Sequence, residues 1–140
     1  IGTYFVQAQV LDPVAVWSSL PMGFLITAIL VVNNLRDIDT DTATGKKTMA
    51  VRLGKLGARR EYSLCLAAAY LIPPLAAGLG VAPLWGLLSW LSIPLALRMN
   101  RTVWMVEGRP LNQALAGTGQ LALVFGLLYA AGLIIARFSA

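Results

Sequence analysis

Long stretches of this chain contain no Asp, Glu, Lys or Arg, and this absence of charge restricts its possible folds more than any other feature. The three longest are Pro13–Leu35, Tyr62–Leu97 and Pro110–Ala136, with 23, 36 and 27 residues. A transmembrane helix needs about 20 mostly apolar residues, so the first and third stretches each predict one span. The second is too long for one helix. Glycine and proline residues between positions 78 and 83 predict a turn inside it, with spans over roughly 62–79 and 83–98.

The remaining apolar segment, Ile1–Leu11, is too short to cross a bilayer, and we expect it to be the tail of a truncated helix. The pattern therefore predicts an all-α fold, a polytopic transmembrane helical bundle with about four complete spans and one helix remnant. Pro73 and Pro74 predict a kink or an interruption within the second span, because proline removes a helical hydrogen bond.

Composition excludes several other classes of protein. Charged residues make up 12% of the chain, whereas an ordinary soluble domain has about 25%, and the mean hydropathy is +0.73. The chain has no histidine, which excludes histidine metal sites and catalytic triads, and its single cysteine, Cys65, cannot form an internal disulfide. A net charge of +5 favours nucleic-acid binding in a soluble protein. In a chain this apolar we expect it to reflect membrane topology, and we expect no nucleic-acid partner.

The basic residues are concentrated in two connections between the predicted spans. Seven of the 11 Lys and Arg residues lie between Arg36 and Arg60, and three more lie between positions 98 and 109, whereas the turn at 78–83 has none. Cytoplasmic loops of membrane proteins carry an excess of Lys and Arg, so both connections are predicted to be cytoplasmic. The pattern indicates a multi-pass protein of the cell membrane, that is, of an inner or plasma membrane. We expect its helices to be surrounded by the lipid bilayer.

Half of the six acidic residues, Asp37, Asp39 and Asp41, directly follow the first charge-free stretch. If the helix continues to Asp41, Asp37 and Asp41 lie one turn apart on the same face, with Asp39 about 200° away around the helix axis. Two like charges on one face destabilise a helix unless a cation neutralises them. Mg²⁺ binds one or two carboxylates and completes its shell with water and phosphate oxygens. The pair therefore favours a diphosphate held through Mg²⁺.

Neighbouring residues suit the same chemistry. Arg36, Lys46 and Lys47 are predicted to contact phosphate oxygens directly, and Asn33 and Asn34 lie one turn before the acidic pair on roughly the same side. A purely structural explanation stays open from the residues alone. Asp and Thr also cap helices and form turns, and lysines commonly follow the cytoplasmic end of a span.

The stretch Asn33–Gly54, with the sequence NNLRDIDTDTATGKKTMAVRLG, closely resembles the second aspartate-rich motif of UbiA-superfamily prenyltransferases. Within that superfamily it looks most like the 1,4-dihydroxy-2-naphthoate polyprenyltransferases of the menaquinone branch. The paired asparagines, the two outer aspartates, Gly45 and the closing TMAVRLG all match. Gly2–Gln7 and Gly108–Asn112 show a weaker similarity, so that the likeness extends over most of the chain.

The resemblance implies a fold of nine transmembrane helices around a central cavity, with two aspartate-rich motifs at its cytoplasmic mouth that hold Mg²⁺ and a polyprenyl diphosphate. It implies transfer of the polyprenyl chain to 1,4-dihydroxy-2-naphthoate, with loss of CO₂, to give demethylmenaquinone for menaquinone biosynthesis. Asp37 and Asp41 match the family's catalytic and metal-binding positions. Asn33 and Asn34 match its flanking polar positions, and Lys46 and Lys47 match the basic pair that follows.

One departure from the family pattern is large, because the family has two aspartate-rich motifs and these 140 residues contain one. The only run that fits N-x-x-x-D-x-x-x-D is Asn33, Asp37 and Asp41, inside the stretch that resembles the second motif, and a separate first motif is absent. We expect residues 1–140 to be the C-terminal part of a single transmembrane prenyltransferase domain, inactive without the N-terminal half of the same enzyme. Two other functions stay open. One is a UbiA-type prenyltransferase with 4-hydroxybenzoate or a related aromatic acceptor, and the other is a non-enzymatic membrane transporter segment in which the acidic pair lines an ion path.

Overall fold

The computed structural model describes residues 1–139, and within them helices are joined by short connections without any β-strand. The elements are α1 (Gly2–Ala8), α2 (Pro13–Arg36), α3 (Ile38–Ala43), α4 (Met49–Gly78), a 3₁₀ helix (Leu84–Ser92), α5 (Ile93–Met105) and α6 (Leu111–Ser139). The all-α prediction is confirmed.

Helices α2 and α6 are long and apolar enough to cross a membrane, as the charge-free runs at 13–35 and 110–136 predicted. In the most apolar part of α2 and of α6, 22% and 28% of the residues, respectively, are buried within the chain. The core helix of a soluble protein is mostly buried, so this exposed apolar surface is typical of helices that face lipid or further helices. Helix α2 begins sharply, because the Asp12 carboxylate accepts a hydrogen bond from the Val14 amide at 2.8 Å.

Helix α4 differs from the span predicted at 62–79. It begins well before that range, at Met49, and it runs past Pro73 and Pro74 to Gly78, so the predicted interruption at these prolines is wrong. Membrane helices tolerate proline where neighbouring groups satisfy the freed carbonyls. Within Met49–Gly78, the residue with non-helical dihedral angles is Gly54 (φ 70°, ψ 174°), and α4 has a kink there that the sequence did not predict.

The span predicted at 83–98 is not one α-helix. The structure has a 3₁₀ helix over Leu84–Ser92 and then α5, which continues to Met105. Pro94 lies in the first turn of α5, where a missing amide hydrogen costs nothing, and this position favours a new helix start at Ile93. The N-terminal segment forms the short helix α1, which has no buried residue and ends at Gln9 in the left-handed conformation (φ 55°).

The core is formed where α2 packs against α4 and α6, and where α6 packs against the 3₁₀ helix. Tyr62 of α4 and Thr118 of α6 are fully buried and share a hydrogen bond of 2.9 Å, so the two polar side chains satisfy each other inside an apolar bundle. Phe125 of α6 packs edge-to-face on Tyr70 of α4, with ring centroids 5.3 Å apart. These contacts hold α4 and α6 in a defined relative position.

The two basic connections meet at one end of the bundle. Arg36, at the end of α2, donates a hydrogen bond of 2.9 Å to the side chain of Asn112 at the start of α6. Lys55, near the start of α4, contacts Glu107 in the connection before α6 at 3.1 Å. The segment that carries the three aspartates therefore lies beside the connection between α5 and α6, and the candidate site is at this end.

Candidate functional site

Asp37 is the single residue that joins α2 to α3. Its amide donates to the Asn33 carbonyl at 3.2 Å, and its own carbonyl accepts from the Asp41 amide at 2.8 Å. The backbone of Asp37 itself is not helical (φ −94°, ψ 7°), so α2 ends and α3 begins at this residue. The helix predicted to continue to Asp41 is therefore interrupted at Asp37, but the bond from the Asp41 amide to the Asp37 carbonyl still places the two aspartates one turn apart.

The carboxylate of Asp37 is held by the neighbouring guanidinium. Nε of Arg36 donates to Oδ1 of Asp37 at 2.7 Å, and Nη2 donates to Oδ2 at 2.6 Å. This bidentate pair lowers the pKa of Asp37, chiefly through the hydrogen bonds that the charged carboxylate accepts. Arg36 donates further to two amide oxygens, Oδ1 of Asn33 at 3.0 Å and Oδ1 of Asn112 at 2.9 Å.

Asp41 is in a different environment. Its side chain is only 9% exposed, and Nζ of Lys46 lies 3.3 Å from its Oδ1, although the Lys46 side chain is itself 67% exposed. A backbone turn at Gly45 brings Lys46 close to Asp41. Gly45 takes a positive φ of 73° after α3, and the amides of Gly45 and Lys46 then bond back to the carbonyls of Thr42 and Asp41. The chain is thereby reversed, and Lys46 returns to the acidic face.

Asp39 points away from this pair, as helix geometry predicted. Its side chain is 81% exposed and lies 3.5 Å from Nζ of Lys55 on α4. Lys55 also binds Glu107, which accepts a second ion pair from Arg59 at 3.1 Å. These contacts raise the pKa of Lys55 and lower the pKa of Glu107, in both cases chiefly through their shared hydrogen bond. Asp39 thus helps to fasten α3 to α4 and takes no part in the acidic pair.

The structure brings most of the predicted site residues together, but not all of them. Asn34 is half-buried and Lys47 is exposed, and neither side chain forms a hydrogen bond or ion pair within residues 1–139. Sequence reasoning missed Asn112 as a partner of Arg36. The available signal was an amide side chain at the beginning of an otherwise apolar helix, within the Gly108–Asn112 stretch that resembles the family.

The oxygen donors of the segment match part of a magnesium shell. Mg²⁺ accepts one or two protein carboxylates and takes its other ligands from water and phosphate. Asp37 and Asp41 supply two carboxylates, and each now has a cationic side chain beside it. Within residues 1–139, no three His, Cys, Asp or Glu side chains are grouped closely enough to hold a metal ion by themselves.

Comparison with known proteins shows the family of the chain. The profile of the UbiA prenyltransferase family matches residues 1–116. The chain is 34% identical to 1,4-dihydroxy-2-naphthoate octaprenyltransferase of Escherichia coli K12 over 142 residues, which cover 100% of this chain and 46% of that protein. The enzyme of the same name from Mycobacterium tuberculosis is 37% identical over 99% of this chain and 47% of its own length.

A more distant relative is the UbiA prenyltransferase domain-containing protein 1 of Mus musculus, which is 30% identical over 95% of this chain and 38% of its own length. No solved structure matches the chain. The chain spans about half the length of the octaprenyltransferases that it matches. Because the family profile covers most of its residues, the chain belongs to the UbiA prenyltransferase family, whose members are integral membrane proteins.

Proposed function

We propose that the full-length protein containing this chain transfers a polyprenyl group from polyprenyl diphosphate to 1,4-dihydroxy-2-naphthoate in an Mg²⁺-dependent reaction of menaquinone biosynthesis. The observation that carries the proposal is the pair Asp37 and Asp41 at the end of a membrane-length helix, each beside a cationic side chain. The names of the bacterial relatives, which share this whole segment of chain, supply the acceptor and the octaprenyl donor class.

The difficult step of such a transfer is the departure of diphosphate from the allylic carbon. Mg²⁺ held by Asp37 and Asp41 would stabilise the negative charge that develops on the phosphate oxygens. Arg36, Lys46 and Lys47 supply positive charge on the same segment, and the amides of Asn33 and Asn34 supply neutral polar groups. The allylic cation bonds to the naphthoate ring carbon, and the ring then loses its carboxylate as CO₂. The product is demethylmenaquinone in its quinol form, because no oxidant takes part.

We further propose that the metal shell is completed by residues outside this chain. Two carboxylates satisfy only part of an octahedral Mg²⁺ shell, and a diphosphate ester brings up to three negative charges that a single Mg²⁺ does not balance. A second acidic motif facing Asp37 and Asp41 would provide for another cation. The chain is then one part of a larger transmembrane domain, in agreement with the length of the relatives.

The proposed orientation places the acidic segment on the cytoplasmic side of the cell membrane. Seven of the 11 basic residues lie between Arg36 and Arg60, and the structure brings this connection beside Glu107–Asn112 at one end of the bundle. Positive charge concentrated at one end of apolar helices favours the cytoplasmic face. A polar diphosphate then enters from water while its isoprenoid tail stays among apolar side chains.

The test uses the full-length protein in lipid vesicles with octaprenyl diphosphate, 1,4-dihydroxy-2-naphthoate and Mg²⁺. We expect product formation that stops when a chelator is added. We expect the activity of the Asp37→Asn and Asp41→Asn variants each to fall at least about 100-fold, because each removes a carboxylate that would hold Mg²⁺ on the departing diphosphate. Arg60→Gln is the matched control, since Arg60 is exposed and forms no hydrogen bond or ion pair within residues 1–139.

A clear preference for 4-hydroxybenzoate as the acceptor would move the protein to another branch of the family. Full activity of both Asn variants would contradict the assignment of the acidic pair. Wild-type protein that is correctly inserted and yet inactive with every aromatic acceptor, but that conducts ions, would support the transporter function instead.

A further inference from the structure

The guanidinium of Arg36 is the most extensively bonded side chain at this end of the bundle. It forms four hydrogen bonds to three side chains, two of them to the Asp37 carboxylate and one each to Asn33 and Asn112. The Asp37 pair is charged, whereas the two amide oxygens are neutral. The amides also come from different helices, since Asn33 lies on α2 and Asn112 lies on α6, 76 positions from Arg36.

These contacts serve two separate purposes. The amide oxygens fix the position of the guanidinium but do not neutralise it, because they carry no charge. The carboxylate neutralises it, and each carboxylate oxygen accepts one hydrogen bond from the guanidinium. A divalent cation at Asp37 therefore has to compete with Arg36 for the same two oxygens, whereas the anchors at Asn33 and Asn112 are not affected by that competition.

Lys46 does not duplicate this arrangement at Asp41. It makes one contact, at 3.3 Å, and most of its side chain is in solvent. An ammonium on a flexible stem is a point charge, whereas the planar guanidinium offers parallel donors that fit carboxylate and phosphate oxygens equally well. Of the two cations beside the acidic pair, Arg36 is thus the one that is both held in place and able to exchange one anion for another.

We propose, on the basis of the function proposed above, that Arg36 is an exchangeable counter-ion. It holds Asp37 when no divalent cation is present, and once a cation takes Asp37 the guanidinium turns its fork to the diphosphate while Asn33 and Asn112 retain it. Asn112 is then a positioning residue, which acts on the diphosphate only through Arg36. The exchange couples the two ligands, because metal binding releases the group that binds the diphosphate.

The coupling is tested by two binding measurements on the full-length protein in detergent, neither of which needs turnover. The first is the affinity for Mg²⁺ without diphosphate, measured by competition with Mn²⁺. The second is the affinity for inorganic diphosphate at saturating Mg²⁺. In Arg36→Gln we expect the Mg²⁺ affinity to rise about tenfold, because the competing cation is gone, and the diphosphate affinity to fall at least about tenfold. Arg60→Gln removes the same charge elsewhere and should change neither affinity by more than about twofold.

The Asn112→Ala variant distinguishes the positioning of the Arg36 guanidinium from its pairing with Asp37. Arg36 keeps both bonds to Asp37 in this variant, so we expect the Mg²⁺ affinity to stay within about twofold of wild type while the diphosphate affinity falls about fivefold. Gln113→Ala, an exposed amide on the next residue of α6, is the control and should change neither value.

Several results would overturn the proposal. If Arg36→Gln lowers the affinities for both Mg²⁺ and diphosphate, or leaves the Mg²⁺ affinity unchanged, the guanidinium only maintains structure. If Arg36→Gln does not fold, Arg36→Lys keeps the test decisive: it retains the charge without the fork, and diphosphate affinity equal to wild type contradicts the exchange. Wild-type protein that binds no diphosphate in Mg²⁺ contradicts the proposed function itself, and that outcome is visible before any variant is compared.

Discussion

Asn112, at the first turn of α6, accepts a hydrogen bond of 2.9 Å from Arg36, at the last turn of α2. Arg36 in turn holds Asp37, so a residue of the last helix reaches the acidic segment through a single intermediate side chain. On the opposite side of the segment, Asp39 reaches Glu107 through Lys55. The start of α6 and the connection before it are thus each linked to the acidic segment through one cationic side chain, Arg36 on one side and Lys55 on the other.

Gly54→Ala should destabilise the protein by about 1–3 kcal/mol, since a φ of 70° with a ψ of 174° is a conformation essentially restricted to glycine. The cost is conformational, because a Cβ at this position would meet no atom within 4 Å. Thermal unfolding in detergent measures it. Gly23→Ala is the matched control in α2, where the added Cβ also has free space and alanine favours the helix. Equal unfolding temperatures for the two variants would contradict the bend at Gly54.

Gly132→Ala should cost about 1–3 kcal/mol for a different reason. Its Cβ would overlap the backbone carbonyl of Trp85, and a backbone group cannot move aside as the end of a side chain can. Gly126→Ala is a sensitive comparison, because there the new Cβ meets only the flexible end of Met22 at 3.4 Å. Unfolding measurements that rank Gly126→Ala as the more damaging change would show that α6 and the 3₁₀ helix are not in such close contact.

Arg59 and Lys55 both contact Glu107, but their removal should have different consequences. Arg59 also donates to the carbonyls of Val103 at 3.1 Å and Val106 at 3.2 Å, and its side chain is only 16% exposed. Arg59→Ala leaves these carbonyls at the end of α5 without that donor, and we expect a loss of about 1–3 kcal/mol. Lys55→Ala removes an exposed pair, so its effect should be smaller and should disappear at high salt. A salt-insensitive loss in Lys55→Ala would disagree with this assignment.

The pH dependence of stability should report the Arg36–Asp37 pair. The folded pKa of Asp37 lies below its ordinary value, so the pair stabilises the fold fully above the unfolded pKa of about 4, and this contribution is lost as the pH falls through the lower folded pKa. We expect the wild type to lose stability below pH of about 4 more steeply than Asp37→Asn, which has no carboxylate to titrate. Parallel unfolding curves for the two proteins between pH 5 and about 3 would be inconsistent with the pair.

The 140-residue chain expressed alone in membranes should show no prenyl transfer, because Asp37 and Asp41 supply only part of a magnesium shell and the chain spans about half the length of the octaprenyltransferases that it matches. We expect co-expression with the remainder of the full-length protein to restore the activity, measured as product formation. Turnover by the isolated chain would contradict the view that the metal shell is completed elsewhere.

Much of the helical plan was predictable, because hydrophobic burial and bilayer thickness act on local stretches of chain. The spans α2 and α6 follow directly from runs that contain no charge. The prediction was wrong where a single residue decides the local path. Pro73 and Pro74 do not interrupt α4, whereas Gly54 bends it, and the segment predicted at 83–98 divides into a 3₁₀ helix and α5. Such outcomes depend on which backbone groups the surrounding helices can satisfy, and a one-dimensional pattern does not contain that information.

By itself, the sequence determined the class of protein, the end of the bundle where charge collects, and the spacing of Asp37 and Asp41, because all three depend on residue type and helical repeat. Only the tertiary structure decided how firmly each cation beside these carboxylates is held. Arg36 and Lys46 each carry one positive charge. Arg36, which pairs with Asp37, is held in place by amide side chains from two helices, whereas Lys46 is largely in solvent beside the buried Asp41. The difference arises because Asn112 is brought to Arg36 by the packing of α6 against α2, a contact between residues far apart in the chain.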